Sequence, residues 1–345
     1  MKVFVKTFGC ALNKRDSENI EGILKEQGFE LTEEKKADII IVNTCGVKSR
    51  TQNRVISYIN QHKKPVYVGG CLPKMIDLKE LTPKVKGFFD TNTITKIASQ
   101  IKDNLLENFS TQKENRLNIP LVRSSKDIAI IPISQGCLGN CAYCSVKFAR
   151  GSLKSYTEEE ILKEIEQVKD YKIIHLTSQD CGCYGKDINT NIISLLKKII
   201  SLGGNFKVKM GMANPEHVLP ILNELIEVYK SDRIIKILHI PVQSGSNKVL
   251  KEMKRKYTVE QFKKIVKTFR KEIPEIHILT DIILGYPTES KLDFQATLNL
   301  IKEIKPEVLN TSKFAPRPKT EAAKLKQLKS EVIKQRSIII HNTYQ

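Results

Sequence analysis

Tryptophan is absent from the chain, and Phe, Tyr and Trp together make up 6% of it. Platforms for stacking nucleobases are therefore few, and a nucleic-acid partner would be held largely through its phosphates. No apolar run approaches the ~20 residues that a membrane-spanning helix requires. Met1-Lys2-Val3-Phe4-Val5 passes directly into a strand pattern, so neither a signal peptide nor a membrane anchor is expected, and a cytoplasmic location is. The eight cysteines show none of the even pairing of a secreted disulfide framework, which fits a reducing compartment. Acidic residues are also short: 38 Asp and Glu stand against 57 Lys and Arg, for a net charge of +19. That excess favours a polyanionic partner, although a solvated lysine-rich surface would give the same number. At 345 residues, 40% hydrophobic and 28% charged, the chain has material for about two globular domains.

The cysteines that are present carry the strongest signal. An apolar run, Ile128 to Ile133, reads as a strand. It leads into Gly136-Cys137-Leu138-Gly139-Asn140-Cys141-Ala142-Tyr143-Cys144, a C-x3-C-x2-C loop. Thiolates grouped this closely suit an iron–sulfur cluster or zinc. Structural zinc wants four ligands, and no fourth Cys or His follows within the loop; three ligands on a four-iron cluster leave one iron open. The bland alternative is three buried or zinc-binding cysteines that happen to lie together.

Upstream, strands at Val3–Phe8, Ala37–Val42 and Pro65–Val68 alternate with helices at about 17–27 and 49–60. A short strand at 87–89 and a helix at about 93–106 follow. Gly28 reads as a helix C-cap, and Asp16 or Ser17 as an N-cap. The alternation predicts an α/β, doubly wound parallel sheet over residues 1–108. Cys10, Cys45 and Cys71 each fall just past a strand end, where such sheets bind ligands, so they form a candidate second three-cysteine site. Taken singly, each would be an inert core cysteine. Residues 109–127 read as a linker with a short extended piece at 117–122.

From 128 to 318 the pattern is six βα steps, an open (β/α)6 partial TIM barrel. Its strands are the one before the loop and those at 173–177, 207–212, 234–240, 277–284 and 308–314. Helices lie near 157–168, 192–200, 215–229, 259–271 and 291–304, the first with a capping box at Thr157 and Glu160. A basic helix at about 320–340 closes the chain, within a segment 319–345. His175, His239 and His277 read as core histidines. Cys181 and Cys183 read as unligated thiols.

The loop, with its aromatic before the last cysteine, resembles the radical S-adenosylmethionine (SAM) superfamily. Thr7-Phe8-Gly9-Cys10, Asn43-Thr44-Cys45 and Gly69-Gly70-Cys71-Leu72-Pro73, with Asn13, Asp16, Ser17 and Glu18, resemble the N-terminal domain of its methylthiotransferases. Cys144-Ser145-Val146-Lys147-Phe148-Ala149-Arg150-Gly151 and Met210-Gly211-Met212-Ala213-Asn214-Pro215 look like the archaeal and eukaryotic branch that acts on transfer RNA. The resemblance spans about Lys6 to Arg336.

It implies two [4Fe-4S] clusters, a radical SAM cluster on Cys137, Cys141 and Cys144 and an auxiliary cluster on Cys10, Cys45 and Cys71. The implied reaction adds a methylthio group to C2 of N6-threonylcarbamoyladenosine next to the anticodon. One SAM is cleaved reductively to a 5′-deoxyadenosyl radical, and a second methylates sulfur on the auxiliary cluster. In that frame Tyr143 would meet the SAM adenine, Gln179 its ammonium, Gln243 its ribose and Arg255 its carboxylate. Arg150 would touch SAM or a phosphate, or play a structural part. Each of these polar residues could equally be a loop or helix cap, and no protein general base stands out. Implied partners are the tRNA anticodon loop and an electron donor of reductase, flavodoxin or ferredoxin type; a monomer is expected. The family's small terminal RNA-binding barrel, TRAM, is expected to be absent from this sequence, which stops at Gln345. Alternatives are a methylthiotransferase of isopentenyladenosine tRNA or of a ribosomal protein. Outside enzymes, they are an iron–sulfur electron carrier or a zinc-dependent RNA-binding module.

Overall fold

The computed structural model describes residues 1–46, 49–80 and 82–344. The chain forms two compact units, Met1–Cys137 with Ser145–Thr177, and Leu138–Cys144 with Ser178–Gln345.

The first unit opens with β1 (Lys2–Thr7), α1 (Ala11–Glu26), β2 (Glu30–Leu31), β3 (Ile39–Thr44), α2 (Ser49–Gln61), β4 (Val66–Gly70), β5 (Val85–Phe89), α3 (Ile97–Lys102) and β6 (Glu107–Asn108). Its six-stranded sheet runs β2-β1-β3-β4-β5-β6, and neighbouring strands are parallel throughout. Every residue of β3 is buried, as in a strand covered on both faces. Ile39 and Ile41 pack with Ile20, Ile23 and Leu24 of α1, whereas Ile40 and Val42 pack with Val55 and Ile59 of α2. Strand pleating thus sends alternate residues to helices on opposite sides.

Two expected helices differ. The helix expected at 93–106 is a 3-10 turn at Ile94–Lys96 followed by the short α3, because the chain then leaves to pair as β6. α1 begins at Ala11, not near Ser17, and its N-cap is Cys10, not Asp16 or Ser17. Its early turns bury polar side chains, Asn13, Arg15, Asp16, Ser17, Glu18 and Asn19, which hydrophobic periodicity cannot reveal.

Residues 109–127 lie packed against α1, with no strand at 117–122. The Val122 amide donates to the Glu18 carbonyl at 2.8 Å. Arg116, fully buried, pairs with Asp16 at 2.7 Å. Arg15 pairs with Glu164, which Arg123 also reaches at 3.1 Å. Buried charges persist only when paired in this way, and the pairs tie the segment down.

The unit continues with β7 (Ile128–Pro132), β8 (Ser134–Gln135), α4 (Val146–Arg150), β9 (Lys154–Ser155), α5 (Glu158–Glu166) and β10 (Ile173–Thr177). β7 and β10 pair in parallel, while β8 and β9 form a two-residue antiparallel ladder. α5 carries the Thr157–Glu160 capping box that the sequence predicts.

The second unit contains α6 (Ile192–Ser201), β11 (Lys207–Met210), α7 (Pro215–Val218), α8 (Leu222–Tyr229), β12 (Ile237–His239), α9 (Asn247–Glu252), α10 (Val259–Glu272), β13 (His277–Leu284), α11 (Lys291–Ile304), β14 (Val308–Lys313) and α12 (Ser330–Tyr344). β12, β13 and β14 are parallel. The strand expected at 234–240 shrinks to β12 plus one bridge at Ile234. Two histidines depart from the core reading: His277 is exposed, and half-buried His239 bonds Asp281. The terminal helix starts at Ser330 instead of Thr320. A 3-10 turn at Glu321–Lys324 ends where the Gln327 amide donates to the carbonyls of Ala322 and Leu325, taking acceptors that a continuing helix would use. Among the described residues, no helix is long and apolar enough to cross a membrane.

Candidate metal centres

β1, β3 and β4 are neighbours in the sheet, and Cys10, Cys45 and Cys71 follow their carboxyl ends. The Cys71 amide donates to the Thr44 carbonyl at 3.0 Å, which draws two of the three loops together. Gly70 makes this possible: its φ is +91°, and a Cβ there would lie 2.4 Å from Asn43 Oδ1. Asn13, in the first turn of α1, sits among the cysteines. Its Oδ1 accepts from Cys10 Sγ at 3.5 Å and lies 3.9 Å from Cys71 Sγ. Its Nδ2 donates to the Thr44 carbonyl at 2.8 Å.

Cys71 is buried, Cys45 half-buried and Cys10 exposed, so the group opens to one side. Burial pushes the Cys71 thiol up to about 11; the Arg150 cation opposes that shift, and Cys10 and Cys45 add to it. The three thiols therefore share one electrostatic neighbourhood.

Arg150 lies beside these cysteines, compatible with the structural part that the sequence left open for it alongside a SAM or phosphate contact. Its Nη2 donates to Asp16 Oδ2 at 2.6 Å and to Asn13 Oδ1 at 3.2 Å. Burial disfavours its charge, but Asp16, Cys71 and Cys10 hold the guanidinium more firmly protonated than usual. It also hydrogen-bonds the Cys71 side chain. Three soft donors beside a buried countercharge suit a cluster held by thiolates.

In the first unit, the Cys137 amide donates to the Gly151 carbonyl at 3.3 Å. In the second, the Cys144 amide donates to the Cys141 carbonyl at 3.1 Å. In the same unit, the Ala142 amide donates to the Met253 carbonyl at 3.1 Å and its carbonyl accepts from Ala322 at 2.9 Å. Tyr143 packs with Val249, Met253, Tyr286 and Phe314. Arg255 donates from Nη1 to Cys141 Sγ at 3.2 Å, from Nε to the Tyr257 hydroxyl at 3.0 Å, and from Nη2 to Asn214 Oδ1. The structure thus places Arg255 on Cys141 of the loop. Gln179 is half-buried after β10. Gln243 adopts φ +68° and bridges its backbone to Asp281 and Ile283 of β13.

Sequence reasoning gave no weight to the Asp180, Asn214 and His217 group behind Arg255. Asp180, fully buried, accepts from the amides of Gly182 and Asn214, from Asn214 Nδ2 at 2.6 Å and from His217 Nδ1 at 2.7 Å. Burial raises its carboxyl, but His217 and Asn214 hold it below the usual value. Ligand atoms of Asp180, Cys183 and His217 lie within 4.8 Å of one another, a spacing a metal could use. The carboxylate already accepts four hydrogen bonds, however, and the Cys183 thiol donates to the Asp180 carbonyl at 3.2 Å, so the group is satisfied as a polar brace. Cys181 is buried, and that burial pushes its thiol up to about 12.

Residues 131–301 match the Radical SAM superfamily, and residues 2–90 match Uncharacterized protein family UPF0004. A protein of Pyrococcus horikoshii named "Probable threonylcarbamoyladenosine tRNA methylthiotransferase" is 40% identical over 99% of this chain and 83% of its own length. The chain belongs to the threonylcarbamoyladenosine tRNA methylthiotransferase family. Another member, from Methanocaldococcus jannaschii, is 41% identical over 99% of this chain and 82% of its own. The Homo sapiens threonylcarbamoyladenosine tRNA methylthiotransferase is 35% identical over 97% of this chain and 61% of its own. The fold resembles the radical SAM methyltransferase TsrM of Kitasatospora setae, with TM-score 0.66 at 14% identity over 93% of this chain and 77% of that one. The family thus joins a radical SAM domain to an N-terminal domain, and each contributes one of the cysteine groups described above.

Proposed function

We propose that this chain is a tRNA-modifying enzyme that adds a methylthio group to C2 of N6-threonylcarbamoyladenosine beside the anticodon, with SAM and two [4Fe-4S] clusters. The observation that carries the reading is the meeting of Cys10, Cys45 and Cys71 around Asn13 and Arg150, in addition to the C-x3-C-x2-C loop. A second cysteine group of this kind suits an auxiliary cluster with an open iron that could carry sulfur. When bound, the clusters and SAM would supply the radical and the sulfur, chemistry that no side chain provides.

The functional division is an auxiliary-cluster domain at 1–108, a connecting segment at 109–127, an open six-step barrel at 128–318 and a terminal basic segment at 319–345. Cys137, Cys141 and Cys144 would hold the radical SAM cluster. Tyr143, Gln179 and Gln243 would hold SAM with Arg255, whose carboxylate contact is compatible with its bond to Cys141 because each Nη has two hydrogens.

Transfer RNA as substrate is supported by the charge of +19 and by a cleft of about 770 Å³ in the first unit. Lys6, Phe8, Arg54, Tyr58 and Gln61 line it. The Phe8 and Tyr58 rings meet edge to face at 5.6 Å, and Lys6 lies 5.6 Å from the Tyr58 ring centroid. Cations beside an aromatic pair suit a single-stranded loop. The same reading includes a flavodoxin-, ferredoxin- or reductase-type electron donor, a cytoplasmic setting and a monomer.

The test is anaerobic reconstitution with iron and sulfide, followed by reaction with SAM, dithionite and threonylcarbamoyladenosine-containing tRNA. A methylthio nucleoside is expected; SAM cleavage with no change in that nucleoside would contradict the assignment.

A further inference from the structure

We propose that each cysteine group is served by its own buried arginine, Arg150 for Cys10, Cys45 and Cys71, and Arg255 for the radical SAM cluster, and that each arginine raises the reduction potential of its own cluster. The inference rests on the two-cluster reading above.

The two arginines are built alike. Arg150 is 1% exposed and Arg255 is 8% exposed. In each, Nη2 donates to an asparagine carbonyl, Asn13 for Arg150 and Asn214 for Arg255. Behind each asparagine–arginine pair stands a buried carboxylate. Asp16 bonds Arg150 Nη2 itself, and Asp180 fixes Asn214. In each, a nitrogen remains for sulfur. Arg255 Nη1 donates to Cys141 Sγ at 3.2 Å. Arg150 hydrogen-bonds the Cys71 side chain, on which its charge also acts. Two arginines on different elements of the fold, each braced by Asn and Asp and each beside a cysteine sulfur, are not explained by packing alone.

The physical effect has one sign. Reduction adds a negative charge to the cluster. An N–H donated to a ligating or bridging sulfur, and a cation held nearby in a buried site, both favour the reduced form. Fixing the guanidinium matters because a mobile cation would be screened and would move away. The arginines are therefore positioning residues for electron uptake, and Asp180, Asn214, Asn13 and Asp16 hold them in place.

The test is potentiometry followed by electron paramagnetic resonance on the reconstituted full chain without SAM. Each centre is read alone, after Cys10, Cys45 and Cys71, or Cys137, Cys141 and Cys144, are changed to Ala. Arg150→Gln should lower the midpoint potential of the auxiliary centre and leave the radical SAM centre unmoved; Arg255→Gln should do the reverse. The Lys variants keep the charge without the fork and should fall between Gln and wild type. Where a Gln variant takes up no iron, Lys and the brace variants Asp180→Asn and Asn13→Ala decide, with smaller shifts of the same sign. Potentials unchanged at full iron content, or both centres moving together, would overturn the inference. If wild type instead binds only one cluster, it is the two-cluster reading that fails.

Discussion

Cys71 shows how much of a metal site one residue can report. Its thiol is pushed up to about 11 by burial, with Arg150 pulling the other way. Without a cluster it is held as a thiol at neutral pH, and iron binding must displace its proton. Replacing Cys71, Cys45 or Cys10 by Ala should lower iron from about eight to about four per chain and leave reductive SAM cleavage intact. Loss of all iron in any one of these variants would contradict two independent centres. The C-x3-C-x2-C loop was legible because its spacing is local. The place of Arg150 was not, because its bond to Asp16 joins residues 134 positions apart. Asn13 was visible only as part of a family word; nothing in its own sequence context shows that it lies between two cysteines.

Elements were most legible where their buried faces are apolar. β13 and α11 lie at the positions the sequence predicts, His277–Leu284 and Lys291–Ile304. α1 was misread at its start because its early buried side chains are polar, and the packing of residues 109–127 was not legible because their anchors are ion pairs rather than a hydrophobic stripe. That packing can be tested at Gly22, where a Cβ would lie 2.2 Å from the Leu121 amide nitrogen. Gly22→Ala should cost about 1–3 kcal/mol in denaturant unfolding, as overpacking does; wild-type stability would argue against the contact. A second element-level test concerns Asp293, which caps α11 through Ser290 and accepts from Ser246 at the start of α9. Burial raises its carboxyl, but the bonds from Ser246 and Ser290 outweigh that and bring it from 3.8 to about 2. A carboxyl depressed by folding adds stability above its unfolded pKa. The contribution should therefore be full above about pH 4 and be lost as pH falls toward about 2. Asp293→Asn should flatten acid unfolding in that window and cost about 1–2 kcal/mol at neutral pH, as cap losses do.

For the whole molecule, the sequence was most informative about charge and chemistry and least about where a polyanion would lie. The excess of 57 basic over 38 acidic residues has no address until the structure groups Lys6 and Arg54 with Phe8 and Tyr58 in one cleft. Lys6→Ala and Arg54→Ala should each weaken anticodon stem-loop binding and reduce the slope of log affinity against log salt by about 1, without changing iron content. An unchanged slope would move the RNA elsewhere. The account as a whole is tested most directly by mass spectrometry of tRNA nucleosides after reaction with methyl-labelled SAM. It predicts that the label appears as a methylthio group on N6-threonylcarbamoyladenosine and disappears when Cys71 is replaced by Ala. Label on isopentenyladenosine or on a ribosomal protein, or on no product at all while SAM is cleaved, would contradict it.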